Sequence, residues 1–244
     1  KRIPDISQAQ LTTLIEASLG SQTVVRIDSG ISDAVSNSNN FNNMFFNYLG
    51  YIMIACFING VSTVMFSFTS LDIRRRFVAS PLPGRKINLQ LILANMLYLF
   101  GYLAAFIIAG FVLNRNRMLN ANTCLTWLNA AVFAFTCLSF SYLVGITVKS
   151  KNAIQAISTA VSLSIAFISG IFIPQEYISA PVLKVASFAP GYWYVKANEI
   201  IAKMNSFDWS QIFNLIGHMG IQIGFAIAIF SIAMLVSKRK AQQE

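Results

Sequence analysis

With 244 residues, 55% of them hydrophobic and only 11% charged, and a mean hydropathy of +0.59, the chain carries far less charge than the roughly 25% of an ordinary soluble domain. That composition argues against a soluble enzyme. The net charge of +9 comes with no long Lys/Arg tract and no basic-aromatic RNA-binding signature, so nucleic acid is set aside as a partner.

The first 43 residues are polar. Ser7 with Gln10 forms a capping box before Leu11, Leu14 and Ile15, and Gly20 is a plausible helix stop. Thr23 to Asp28 reads as a short strand, and Ser29 to Asn43, rich in Ser and Asn, as a linker. Residues 1–43 are thus expected to be the end of an extracellular α/β domain, and residues 44–244 a transmembrane domain.

Five apolar runs follow, at about 44–69, 89–113, 123–148, 153–173 and 211–236, and none contains Asp, Glu, Lys or Arg. A helix rises about 1.5 Å per residue, so about 20 residues cross the hydrocarbon layer, and each central charge would cost on the order of 3 kcal/mol. The expected fold is an all-α polytopic membrane protein with five transmembrane helices. The loop 70–88, the link at Lys149 and Lys151, and the tail with Lys238, Arg239 and Lys240 alternate onto one side, and they hold ten of the 18 basic residues but only Asp72 and Glu244 of the nine acidic ones. The positive-inside rule places that side in the cytoplasm, with the N-terminal segment outside. A translocated polar segment ahead of the first run suggests a further helix upstream, making six in the full protein.

In loop 70–88 a cationic stretch, Arg74, Arg75 and Arg76, precedes Phe77 and Val78, and Ser80-Pro81-Leu82-Pro83-Gly84 then stops any helix. The bland reading is a positive-inside anchor; the sharper one is a docking element for a cytoplasmic partner. The segment 174–210 is moderately apolar but broken by Pro181, Pro190 and Gly191, which suits a re-entrant or interfacial pair of outer helices.

The runs carry polar stripes. Gln211, Asn214, His218 and Gln222 share one face of the last, with Gly217, Gly220 and Gly224 almost opposite, suited to close helix approach. Asn59 with Thr63, Asn95, and Ser158 with Ser162 mark other faces. Either these residues bond helix to helix or they line a translocation path. No carboxylate lies at mid-membrane, as an ion-coupled carrier usually needs. No phosphate loop, HExxH or GxSxG is present. Cys56, Cys124 and Cys137 match no metal or redox spacing, and burial by packing is expected for them. No metal site and no catalytic residue are expected.

The order of these features carries a resemblance. A span leads into "IRRRFVASPLPGRKI"; two spans, a short basic link and a span ending in "SGIFIP" (Ser169 to Pro174) follow, then "SFAPGYWYVKANEII". This resembles the permease subunits of ABC-2 type (type V) exporters, in the branch with a large extracellular segment between the first two helices. The loop around Arg74 to Pro81 occupies that family's coupling-helix position, although Arg75, Arg76 and Phe77 stand where Glu and Gly are frequent. The resemblance implies coupling to an ATPase through Arg74, Arg75, Arg76, Phe77, Val78, Ser80 and Pro81. It implies an outer gate at Gly170, Phe172, Pro174, Pro190, Tyr192 and Trp193. It also implies a homo- or heterodimer that binds cytoplasmic ABC ATPase subunits, with ATP and Mg in those subunits and no cofactor in this chain. The expected protein is a multi-pass export subunit of a bacterial cell membrane, for a drug, antimicrobial peptide or lipid-like cargo. The alternatives are a glycan or lipid exporter of the same family and a membrane sensor with an extracellular ligand-binding segment.

Overall fold

The computed structural model describes residues 31–68, 84–113, 121–204 and 209–243, with Ser70, Ile73, Arg75, Arg76 and Ala79 between the first two stretches. The capping box at Ser7 and the strand at Thr23 to Asp28 lie outside the described residues. Contacts divide the chain into two compact units, Lys1–Ser36 and Asn37–Glu244; the helix packing lies within the second.

Among the described residues seven α-helices stand in chain order: α1 (Ile31–Phe68), α2 (Gly84–Leu113), α3 (Ala121–Thr147), α4 (Lys151–Ser169), α5 (Ala180–Ala186), α6 (Pro190–Lys203) and α7 (Trp209–Gln243), with a 3-10 turn at Gln175–Tyr177 before α5. Five of them are long and apolar enough to cross a membrane, over Phe41–Phe68, Leu93–Val112, Asn122–Thr147, Lys151–Ser169 and Trp209–Arg239. The protein is an all-α polytopic membrane protein, and no strand occurs among the described residues.

Boundaries differ from the sequence reading: α2 begins at Gly84 rather than about residue 89 and α7 runs to Gln243 rather than about residue 236, and two further differences have a local cause. The expected linker up to Asn43 is instead the first turns of α1, which is helical from Ile31. Nucleation is the costly step in helix formation, and the apolar span provides it; extending through Ser and Asn then costs only fractions of a kcal/mol per residue. The fourth span stops at Ser169, four residues early. Gly170 adopts φ 96°, a left-handed conformation that suits glycine. The Ile171 and Phe172 amides both return to the Ala166 carbonyl, at 3.2 and 3.3 Å. Gln175 Nε2 then donates to the Ser169 carbonyl at 2.8 Å, so "SGIFIP" is a capped turn. At the other end of α4, the Ser150 hydroxyl accepts from the Ala153 amide, a standard N-cap.

The core is centred on α1 and α3. Phe46, Leu49, Met53, Phe57 and Val61 recur at three- and four-residue spacing on α1 and are essentially inaccessible, as are Ala130, Phe133 and Ala134 of α3. Near the far end of these two helices the backbones almost touch. A Cβ on Gly145 would sit 2.8 Å from both Cα and O of Ser62, and the Ser62 hydroxyl donates to the Ser141 carbonyl at 2.7 Å. α2 lies against this pair through aromatic edges. Tyr98 and Tyr102 each meet Phe57 with ring centroids 5.5 and 5.4 Å apart, and Tyr98 OH donates to the Cys56 carbonyl. Of the cysteines only Cys137 is buried; Cys56 is half-buried and Cys124 exposed, because α3 turns the Cys124 position away from its neighbours.

Candidate functional site

The helix α6 does not lie on the surface of the bundle but enters it. Its Tyr194, Val195, Ala197 and Asn198 are completely buried. The Tyr194 ring stacks on Phe133 with centroids 4.4 Å apart, fills the space above Gly50, and its hydroxyl donates to the Phe46 carbonyl. Gly50 is about 14 Å of helical rise inside the span end at Phe41. A Cβ on Gly191 would strike Ile165 of α4, so glycine is what lets α6 begin so close to that helix.

At this depth a chain of neutral side chains joins four helices. Gln222 of α7 donates to Asn129 Oδ1 of α3 at 2.9 Å. Asn129 Nδ2 donates to Asn198 Oδ1 of α6 at 2.8 Å and to the Tyr194 carbonyl at 3.0 Å. Asn198 Nδ2 donates in turn to Asn47 Oδ1 of α1 at 2.9 Å. Thr136 adds a bond to the Gln222 carbonyl at 3.0 Å. Asn129, Asn198 and Gln222 are wholly inaccessible and Asn47 nearly so. Beside Asn198 a small cleft is lined by Asn42, Asn43, Asn122, Thr123 and Thr126. There Asn122 Nδ2 closes the end of α6 by donating to the Met204 carbonyl at 2.7 Å.

The stripe on α7 runs from the surface into this seam. Gln211 and Asn214 are exposed, His218 is half-buried, and Gln222 is in the core. The His218 ring lies 5.4 Å from Trp193, whose Nε1 donates to the Ser187 carbonyl at 2.8 Å. Lys196 Nζ donates to Tyr192 OH at 3.1 Å and lies near the Trp193 face. On the same helix, burial raises the pKa of the Glu199 carboxyl; Lys203 and Lys196 oppose that shift and Glu176 adds to it. The Lys203–Glu176 pair is 3.7 Å apart and mostly exposed, so it adds little stability.

Of the other path candidates, Asn59 and Ser158 meet directly, Asn59 Nδ2 donating to Ser158 Oγ at 2.7 Å. Ser158 Oγ also donates to the Ala55 carbonyl at 3.0 Å. Ser162 is buried and bonded to the Thr159 carbonyl in its own helix. Asn95 is buried on α2, and the Thr63 carbonyl accepts from Ser67. Among the gate candidates Trp193 lies against His218, whereas Phe172 meets Tyr48, Tyr51 and Phe167 at ring distances of 5.6, 5.1 and 5.2 Å. Gly170 and Pro174 shape its turn, and Pro190 starts α6.

Of the coupling candidates, Arg75 and Arg76 are helical and exposed, and the Ala79 amide returns to the Arg75 carbonyl at 3.1 Å, one turn of helix. Arg74, Phe77, Val78, Ser80 and Pro81 lie outside the described residues. Sequence reasoning missed Asn47, Asn129 and Asn198. An Asn seven residues inside an otherwise apolar span was the available signal for Asn129.

Among the described residues no group of three or more His, Cys, Asp or Glu could hold a metal ion. The buried chain through Asn47, Asn198, Asn129 and Gln222 offers neutral hydrogen-bonding groups, with the aromatic rings of Tyr194 and Phe133 beside it. Searches of curated proteins and of solved structures returned no match. The family model for ABC-2 family transporter proteins matches residues 2–235, almost the whole chain, and with five span-capable helices behind it the conclusion is direct: this chain belongs to the ABC-2 transporter family, as a membrane permease of an ABC transporter.

Proposed function

We propose that this permease is the export subunit of an ATP-driven pump, dimerising in the cell membrane and moving a hydrophobic or amphipathic cargo outward while separate cytoplasmic subunits hydrolyse ATP. The observation that carries this reading is the chemistry of the spans. Their interiors hold neutral amides, hydroxyls, aromatic rings and the imidazole of His218, but no Asp, Glu, Lys or Arg. A carrier driven by protons or sodium usually places an ionisable group at that depth, so the energy for transport is better sought in a partner. Association with ABC ATPase subunits is general to the family.

The place where such a partner would push is the turn between α1 and α2. Arg75 and Arg76 are exposed there and would pair with carboxylates, and Phe77 would supply apolar contact area. Positive-inside charge bias puts this turn in the cytoplasm and α5–α6 outside. On this reading α6 and the Phe172 cluster stand near the exit, and ATP-driven closure of the partner moves the turn as a rigid body. The test is co-purification of the full chain with its ATPase, followed by ATP turnover with and without cargo. Replacing Arg75 and Phe77 by Ala should reduce co-purification or separate turnover from transport. Unchanged assembly and unchanged coupling would remove the docking role.

A further inference from the structure

We propose that the chain Asn47–Asn198–Asn129–Gln222 is a latch that holds α6 inside the helix bundle, and that parting of Asn198 from Asn129 and Asn47 is the motion by which α6 withdraws. Its role in releasing cargo rests on the export reading; the latch itself does not.

Three observations converge on it. First, α6 has 14 residues, a length that is marginal for an isolated helix, so its position is set by what it touches. Those contacts are specific: Tyr194 OH to the Phe46 carbonyl, both ends of the Asn198 amide, and Asn122 at its C-terminal carbonyls. Second, the chain is built around one residue. Asn129 receives from Gln222 and gives to Asn198 and the Tyr194 carbonyl, so α3, α6 and α7 meet at it, and α1 joins through the Asn198 bond to Asn47. Third, the arrangement is complete in its middle and unpaired at its margin. Gln222 Oε1 and, beside Asn198, Asn43 Oδ1 are buried with no hydrogen-bond partner among the described residues. A buried acceptor without a donor is costly, so the packed position of α6 carries a cost at the margin of the chain that its other contacts offset.

The chemistry suits a reversible hold. Every member is a neutral amide, so no proton or ion has to move when the contacts part. Amide bonds between helices in a membrane add little net stability, because alternative partners are found readily. The latch therefore sets the position of α6 without fixing it permanently. Its residues position the helix; none is expected to touch cargo.

Asn198→Asp separates this from ordinary packing. The carboxylate keeps an acceptor for Asn129 but removes the donor to Asn47 and faces the Asn47 oxygen. Hydrogen–deuterium exchange on the purified full chain should show amides of Pro190–Lys203 exchanging at least tenfold faster, with α1 and α3 unchanged. If Asn198→Asp does not accumulate, Asn47→Ala, which cuts one bond at the edge of the chain, is read the same way with a smaller increase. Unchanged exchange in α6 overturns the latch. Faster exchange spread equally over all helices also overturns it, since the amides would then be general packing. Transport into vesicles, measured separately, keeps the two claims apart: loosened α6 with no export by wild-type or variant would leave the latch standing and the export reading refuted.

Discussion

The helices α3 and α7 are both apolar and both long enough to cross a membrane, yet half of the span in α3 is buried within the chain against 22% for α7. On α3, polar and small residues are consumed by neighbours: Asn129 by α6 and α7, Ser141 by its own turn and Ser62, Gly145 by the α1 backbone. On α7, among the described residues, only Leu215, Met219, Gln222, Ala226 and Ala233 are buried, and Phe213, Ile216, Ile223 and Ile227 are exposed. Apolarity selects the membrane; it does not say which face meets protein and which meets lipid. That choice is made by the residues that pair or that permit close approach.

The largest effect expected from this contrast is at Gly145. Its added Cβ would meet Met65 Cβ at 2.6 Å and Ser62 backbone atoms at 2.8 Å, and backbone cannot rotate away as a flexible side chain would. Gly145→Ala should force α1 and α3 apart, strain the Ser62 to Ser141 bond and cost about 1–3 kcal/mol, as overpacking does; Gly145→Val should be worse. Thermal unfolding in detergent measures it. A stability equal to wild type would mean that this crossing is looser than described and that α3 is no more central than α7.

The same contrast shows what the sequence carried. The existence of the five helices was legible because charge-free runs of this length have one common use in a folded chain. Their ends were not: α1 continues back to Ile31 through residues with poor helix propensity, since a formed span makes extension cheap. Gln222, Ser158 and Asn59 stood out by spacing along one helix, but their partners did not. Asn198 bonds to Asn47 across 151 positions of sequence, and the periodicity of one helix reports nothing of another. Tyr194 lies in the segment expected to form re-entrant or interfacial outer helices, and its ring is fully buried, because membrane belts and cores use the same large amphipathic rings. The intrachain crossings likewise fall on other glycines. Those on α7 drew attention by their pattern, whereas Gly50, Gly145 and Gly191, which have no pattern, lie at the tight crossings.

A smaller effect is expected at Glu199, on the less buried face of α6. Burial raises its pKa, with Glu176 adding and Lys203 and Lys196 subtracting. A carboxyl whose folded pKa lies above its unfolded value binds more protons when folded. Its contribution is therefore intact below the ordinary glutamate range and is lost as pH rises through the folded pKa. Glu199→Gln should raise the melting temperature at pH 7 and leave it near wild type at pH 4. A variant that melted lower than wild type at pH 7 would show instead that the lysines hold the ionised carboxylate, and that this face of α6 is organised by charge.

The smallest effect sharpens the comparison most. Gly217, Gly220 and Gly224 repeat along α7, and a Cβ on any of them would meet nothing within 4 Å. Their spacing is the one that lets helices approach closely in lipid, but no helix of this chain among the described residues uses it. Gly220→Ala with Gly224→Ala should therefore leave the unfolding of the solubilised chain unchanged, or raise its stability slightly through helix propensity, by up to ~1 kcal/mol per site. Gly145→Ala in the same assay is the internal standard. If the α7 pair destabilised the chain as much as Gly145→Ala, a close intrachain crossing on that face would be required, and the division between a consumed α3 and an open α7 would fail at its clearest point.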